Sequence, residues 1–240
     1  MKLETVFENE NLVAFNKPSG MLSIPDRYDA EKPCIKNIAE KAYGKLFVVH
    51  RIDRDTSGLI VFAKNEESHK YLSQLFQSRN IEKYYIAIVQ GNPFTPSGTI
   101  EKGIMPHPTI KGRMVVNAKG KEARTDYEVL QSFSGFSVVR LRIYTGRTHQ
   151  IRVHMKDLGY PLVCDPVYGH DKPVYLSDFK KKFKLSINEL DERPILSRLA
   201  LHAHQIKFQD MDGQKIDIIA PLSKDMSATI KQMEKWAAKS

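Results

Sequence analysis

Three groups of residues in this 240-residue chain have the types and spacing for chemistry. The first is His50-Arg-Ile-Asp-Arg-Asp-Thr-Ser-Gly58, with five ionisable side chains in nine residues. It lies between two apolar runs, Phe47 to Val49 and Leu59 to Ala63, which read as buried strands because they are rich in β-branched and aromatic residues. Burying charge is costly unless the charge is paired or used. A polar link between core strands is therefore either a charged hairpin loop or a site. The second group is His149, His154, His202 and His204, and the third is the pair Tyr84 and Tyr85.

A metal centre is the first chemistry to weigh. His149 and His154 are five residues apart and fall on different helical faces, while His202 and His204 share one strand face. No His-Glu-x-x-His and no Cys-x-x-Cys accompanies them, so no metal is expected. Neither a Gly-x-x-x-x-Gly-Lys-Ser nor a Gly-x-Gly-x-x-Gly loop occurs, which disfavours nucleotide-driven and dinucleotide chemistry.

The elements that must position these groups follow from periodicity and punctuation. Leu12 to Lys17 reads as a strand stopped by Pro18-Ser-Gly20, with Lys17 a solvated strand end or a phosphate contact. Ile35 to Tyr43 has helical composition and a stop at Gly44. Asn65 caps a helix over Glu66 to Arg79 whose Leu72, Leu75 and Phe76 share a face. The strand Glu82 to Gln90 alternates, sending Tyr84 and Tyr85 to opposite sides. Thr99 to Ile104, Arg113 to Asn117, Ala123 to Phe133 and Phe136 to Tyr144 are further strands of a largely antiparallel sheet. His107, Lys111, Arg113, Lys119, Lys121 and Arg124 gather in the connections, as a solvated basic surface or an RNA-phosphate track. Helical period returns from Thr148, the expected N-cap, to Leu158, with Ile151, Met155 and Leu158 inward and His149, Arg152 and Lys156 on the opposite, basic face. Residues 170–198 form a lysine-rich surface excursion with a short helix near Leu176 to Phe183. Leu199 to Phe208 and Lys215 to Ala220 close the sheet, and a helix over 223–239 follows Pro221.

Lys and Arg number 37 against 28 Asp and Glu, a formal charge of +9 that suits a polyanion such as nucleic acid or an anionic membrane surface. No run of 18 apolar residues and no signal peptide is present, so a cytoplasmic protein is expected. Cys34 and Cys164 are isolated and read as small buried hydrophobes. With no strongly apolar surface helix, a monomer is expected.

His50-Arg-Ile-Asp-Arg-Asp-Thr-Ser-Gly58 with the following Leu-Ile-Val-Phe-Ala-Lys64 closely resembles the signature of the RluA-type RNA pseudouridine synthases. Lys17-Pro-Ser-Gly20, Lys83-Tyr-Tyr-Ile-Ala-Ile-Val-Gln-Gly91, Thr145-Gly-Arg-Thr-His-Gln-Ile-Arg-Val-His-Met155, Gly159-Tyr-Pro-Leu, Asp165-Pro-Val-Tyr-Gly169 and Leu201-His-Ala203 resemble further family motifs in the family's order. The resemblance implies the pseudouridine synthase fold: α+β, a long, curved, mainly antiparallel mixed sheet flanked by helices, in a single domain. That domain takes up residues 1–240, without the small S4-type RNA-binding domain that precedes it in longer members.

The reaction implied is the isomerisation of specific uridines in structured RNA, ribosomal or transfer, without cofactor or metal. Asp53 matches the catalytic aspartate, which acts on the ribose either by adding to the anomeric carbon or by taking the 2′ proton. Tyr85, rather than Tyr84, matches the tyrosine that stacks on the base, and Arg152 the basic residue that pairs with the aspartate. Arg51 matches the residue that fills the space left by the flipped nucleotide, a role suited to a planar guanidinium. His50, Arg147 and His149 are assigned to loop architecture or RNA contact, and Asp55 to bracing the turn through Thr56 and Ser57 rather than to a glycosidase-type carboxylate pair. Cys164 stands where the family usually has glycine. The competing readings are an RNA-binding or chaperone protein with this fold and little turnover, and a metal-dependent hydrolase whose activity chelators would abolish.

Overall fold

The computed structural model describes residues 3–29, 31–180, 182–185 and 191–237. Lys181, part of the 170–198 excursion and the end of the expected C-terminal helix lie outside them. The chain is α+β and divides into two compact units that interleave in sequence. One comprises Met1–Tyr85, Arg142–Thr145 and His202–Leu222, the other Ile86–Leu141, Gly146–Leu201 and Ser223–Ser240.

In the first unit, β1 (Glu4–Glu8), β2 (Leu12–Lys17), β4 (Ser57–Ala63) and β11 (Leu201–Gln209) are successive neighbours. Beside them β3 (Phe47–Val48) pairs with β4, and β12 (Lys215–Ile219) with β11. Only β4 and β11 run parallel among the pairs of this unit whose registers are defined. All seven residues of β4 are buried because both faces are covered. Ile60 and Phe62 join Val13 and Phe15 under Ile35 and Ala39 of α1 (Ile35–Tyr43), while Leu59 and Val61 join Leu12, Ala14, Ile206 and Phe208 under Leu72 of α2 (Glu66–Ser78). Burial on both faces explains the unbroken apolar run where alternation would mark a half-buried strand. Cys34 caps α1 through its sulfur and Asn65 caps α2 through its side chain.

In the second unit, β10 (Phe136–Ile143), β9 (Arg124–Phe133) and β6 (Ser97–Glu101) follow the later residues of β5 (Glu82–Gln90). The strand expected over Thr99 to Ile104 is broken in two: β7 (Ile104–Pro106) leaves β6 and pairs with β8 (Met114–Val116) as a separate hairpin. Gly103 permits the break, since a Cβ there would lie 2.7 Å from the Asn117 carbonyl oxygen and 2.8 Å from that of Gly120. The helix α3 (Gln150–Asp157) starts later than expected. Its N-cap is His149 in left-handed conformation (φ 55°), not Thr148, and Gln150 secures the start by accepting from Arg147 N and donating to the Arg124 carbonyl. The expected helix over Leu176 to Phe183 is a single 3-10 turn, Leu176–Asp178. The helix α4 (Lys224–Trp236) is tethered by Arg198, which grips Asp225 with two hydrogen bonds of 2.6 and 2.7 Å.

Candidate active site

Residues 49–56 connect β3 to β4, and the peptide groups around Asp53 are fixed one after another. Ser23 Oγ donates to the Ile52 carbonyl (2.7 Å) and accepts from Ile52 N (3.2 Å). Thr56 N donates to the Asp53 carbonyl, Gly20 N to the Arg54 carbonyl, and Ser19 Oγ to the Asp55 carbonyl. Lys17 is not a solvated strand end: it is fully buried, and its ammonium donates to the carbonyls of Pro18, Met21 and Arg54 at 3.0, 2.7 and 2.9 Å. Three N–H donors meet three carbonyls, which removes Lys17 from the candidate RNA contacts and makes it the clasp between the Pro18–Met21 turn and the Asp53 loop. Lys17→Met is therefore expected to destabilise the protein by about 3 kcal/mol, because it leaves buried carbonyls without donors; urea unfolding of the two proteins measures it. Nor does the Asp55 carboxylate brace the turn, for it is exposed and the turn closes through backbone groups.

The end of the motif is held from β11. Ser57 Oγ shares a hydrogen bond with His202 Nδ1 (3.0 Å), and a Cβ on Gly58 would lie 2.1 Å from the Ala203 carbonyl oxygen. Two motifs 145 residues apart are thus one packed contact. His202 Nε2 and His204 Nδ1 both meet the Ala220 carbonyl. Among the described residues, no three His, Cys, Asp or Glu side chains are grouped to hold a metal ion.

His50 is architectural. Strand β3 ends at Val48, opposite Phe62, so the next amide on β4, that of Val61, needs another acceptor; His50 Nε2 supplies it at 2.9 Å. The ring stacks on Phe76 at 4.6 Å. Burial, and then the charge of Lys83, push the imidazole down to about 3, so it is neutral with its hydrogen on Nδ1. Lys83 itself is lowered to about 8, by burial and then by Arg79.

Tyr85 lies against the core cluster that holds Ile52 and Phe76. Burial first, and the nearby Asp53 charge second, raise its hydroxyl well above the usual tyrosine range. The structure thus brings Asp53 and Tyr85 together in the first unit, with Tyr85 held as the neutral phenol. Arg51, two residues before Asp53, is exposed, and its guanidinium has no hydrogen bond or ion pair among the described residues.

The second unit contains a cluster that reading the sequence did not anticipate. Arg152 was placed on a basic helix face, yet it is only 3% exposed and donates twice to Asp165, from Nε at 2.8 Å and from a terminal nitrogen at 2.7 Å. Asp165 also accepts from Val167 N and Tyr168 N. Burial would raise this carboxyl, but the hydrogen bonds and charge of Arg152 and the two amides outweigh it and hold the carboxyl low. The Tyr168 ring lies 5.0 Å from the Arg152 guanidinium, and its hydroxyl meets His149 Nδ1 and accepts from Met114 N, each at 2.8 Å. Cys164 opens this turn at φ 55°, the conformation glycine adopts without strain. Arg147 donates from Nε to the Glu122 carbonyl, and His154 is buried between Thr125 Oγ1 and the Lys102 carbonyl.

Comparison with known proteins decides what this arrangement belongs to. The profile described as RNA pseudouridylate synthase matches residues 11–157. The chain belongs to the RNA pseudouridylate synthase family. It is 32% identical over 243 aligned residues to "Ribosomal large subunit pseudouridine synthase D" of Zymomonas mobilis, covering 96% of this chain and 73% of that protein. The Escherichia coli protein of the same name is 33% identical, over 96% of this chain and 70% of its own length. The fold is that of the solved structure titled "Human RNA Pseudouridylate Synthase Domain Containing 4", with a TM-score of 0.73 at 23% identity, covering 96% of this chain and 93% of that one.

Proposed function

We propose that this protein isomerises uridine to pseudouridine in structured RNA, with Asp53 as the group acting on the ribose. The juxtaposition with Tyr85 of Asp53, which lies on a loop where each carbonyl from Ile52 to Asp55 is hydrogen-bonded, carries this reading. In the reaction the bond from C1′ to N1 breaks, a bond from C1′ to C5 forms, the hydrogen on C5 departs as a proton, and N1 takes up a proton, so that the product is an isomer of the substrate. A rigidly held carboxylate can attack C1′ or remove the 2′ proton, and either route returns it as a carboxylate. Tyr85 stacks on the base. Its neutral hydroxyl can accept the C5 proton while passing its own hydrogen on to Asp53, which releases it to solvent and is restored as a carboxylate. Arg51, exposed next to the loop, is the side chain to occupy the space left by the extruded nucleotide. The resemblance adds Arg152 to the residues the reaction requires, and His107 and the exposed Lys111 serve as phosphate contacts.

Removing the tyrosine hydroxyl while keeping the ring is expected to lower kcat about 100-fold and leave KM within twofold, as for loss of a proton-handling group. Steady-state kinetics of Tyr85→Phe check this, and an unchanged kcat would leave the residue a stacking role alone. Large-subunit ribosomal RNA is the first substrate to test, since the curated relatives described above are named for it. Carbodiimide labelling followed by primer extension should show new stops at defined uridines after incubation with the protein. Absence of new stops in ribosomal and transfer RNA alike would count against the reading.

A further inference from the structure

Tyr168 joins the Arg152–Asp165 pair to the β7–β8 hairpin. That residue is 4% exposed and lies in the turn whose amides the Asp165 carboxylate organises. Its ring has the Arg152 guanidinium 5.0 Å from its centre and the Arg113 guanidinium, from the hairpin, at 5.7 Å. Its hydroxyl oxygen accepts from Met114 N, the first residue of β8, and the hydroxyl shares a second hydrogen bond with His149 Nδ1 at the start of α3. Burial, the largest influence, keeps that hydroxyl protonated over the ordinary range and so able to make both contacts. The hairpin tip carries half-buried His107 and exposed Lys111 and is pinned at its base by the reciprocal bonds of Ile104 and Lys121. Met114, where the tip enters β8, is thus bonded to the hydroxyl of the tyrosine whose ring lies against Arg152.

We infer that Tyr168 is a positioning residue that ties the setting of Arg152 to the seating of the basic β7–β8 hairpin on the RNA backbone. The inference rests on the reading of the chain as a uridine isomerase, and it assigns Tyr168 no contact with the reacting atoms. RNA that engages Lys111 and His107 holds Met114, Tyr168 and Arg152 in one arrangement. An RNA that fails to engage them leaves the guanidinium less well fixed. Selectivity then appears in turnover as well as in affinity.

Tyr168→Phe separates the two parts of the contact, since it keeps the ring beneath Arg152 and removes the hydroxyl. The expected result is a fall in kcat of about tenfold with KM within twofold, the size of effect for one buried amide left without its acceptor. In a cycle with Lys111→Ala, the two losses in kcat should be less than multiplicative. Two measurements need no turnover: the Met114 amide should exchange with solvent at least about tenfold faster in Tyr168→Phe, and the Arg152 Nε–H resonance should move. A rise in KM at constant kcat, or an unchanged Arg152 resonance, overturns the inference. If the native protein modifies no RNA, the proposed function fails, while the amide exchange and the resonance still decide whether the tie exists.

Discussion

Asp53→Asn is expected to reduce uridine isomerisation by about 10⁴-fold or more while leaving RNA affinity within twofold. The substitution keeps the shape of the side chain and removes its charge, its basicity and its capacity to add to carbon. The loop should not notice. Its anchors are Ser23, Lys17, Gly20, Ser19 and Thr56, and they hold backbone groups of residues 52 to 55 rather than the carboxylate. In the proposed complex, affinity comes mainly from phosphate contacts, made by side chains such as Lys111 rather than by the Asp53 carboxylate. Single-turnover kinetics and filter binding on the same RNA test the two halves separately. Retained turnover would remove Asp53 from the chemistry, and lost binding would mean that it contacts RNA in the ground state.

The second large effect is on stability. Asp165→Ala would leave the Arg152 guanidinium buried without its bidentate partner and the amides of Val167 and Tyr168 without an acceptor. Breaking a buried pair from one side costs about 3–5 kcal/mol, far more than the net worth of the intact pair. The variant should accordingly unfold at markedly lower urea concentration. Acid sensitivity gives an independent reading. A carboxyl held below its ordinary range in the fold binds fewer protons there than in the unfolded chain, so its stabilisation is present above about pH 4 and is lost as the pH falls through the lowered native value. Asp165→Asn should flatten the acid limb of the stability profile relative to the native protein. A limb of unchanged slope would assign acid sensitivity to other carboxylates.

Local pattern identified the elements whose causes are local. The helix over Ile35 to Tyr43 and the strands Leu12 to Lys17 and Glu82 to Gln90 have the limits read from apolar spacing and from Gly44, Pro18 and Gly91. The motif order also gave the family, since nothing in composition alone separates a basic RNA enzyme from a basic binding protein. What pattern could not supply was the partner of each charge. Lys17 reads as a solvated strand end unless the carbonyls of Met21 and Arg54 are known to converge on it. Arg152 reads as one residue of a basic helix face because Asp165, its partner, is thirteen residues away in a turn. Asp165 could have been suspected, as an acidic residue in a run already matched to the family, but its role depends on three-dimensional contact. His50 is similar, for its role depends on β3 stopping one residue short of Val61. The break after β6 depends on the close approach of Gly103 to Asn117 and Gly120, which spacing cannot reveal.

The central claim is that this chain makes pseudouridine through Asp53. It is tested most directly by release of tritium from RNA labelled at carbon 5 of uridine, with the native protein and Asp53→Asn compared in excess EDTA on ribosomal and transfer RNA. The account predicts stoichiometric release from one of these RNAs by the native protein, undiminished by the chelator, and none by the variant. Release by both proteins, or by neither on either RNA, would contradict it.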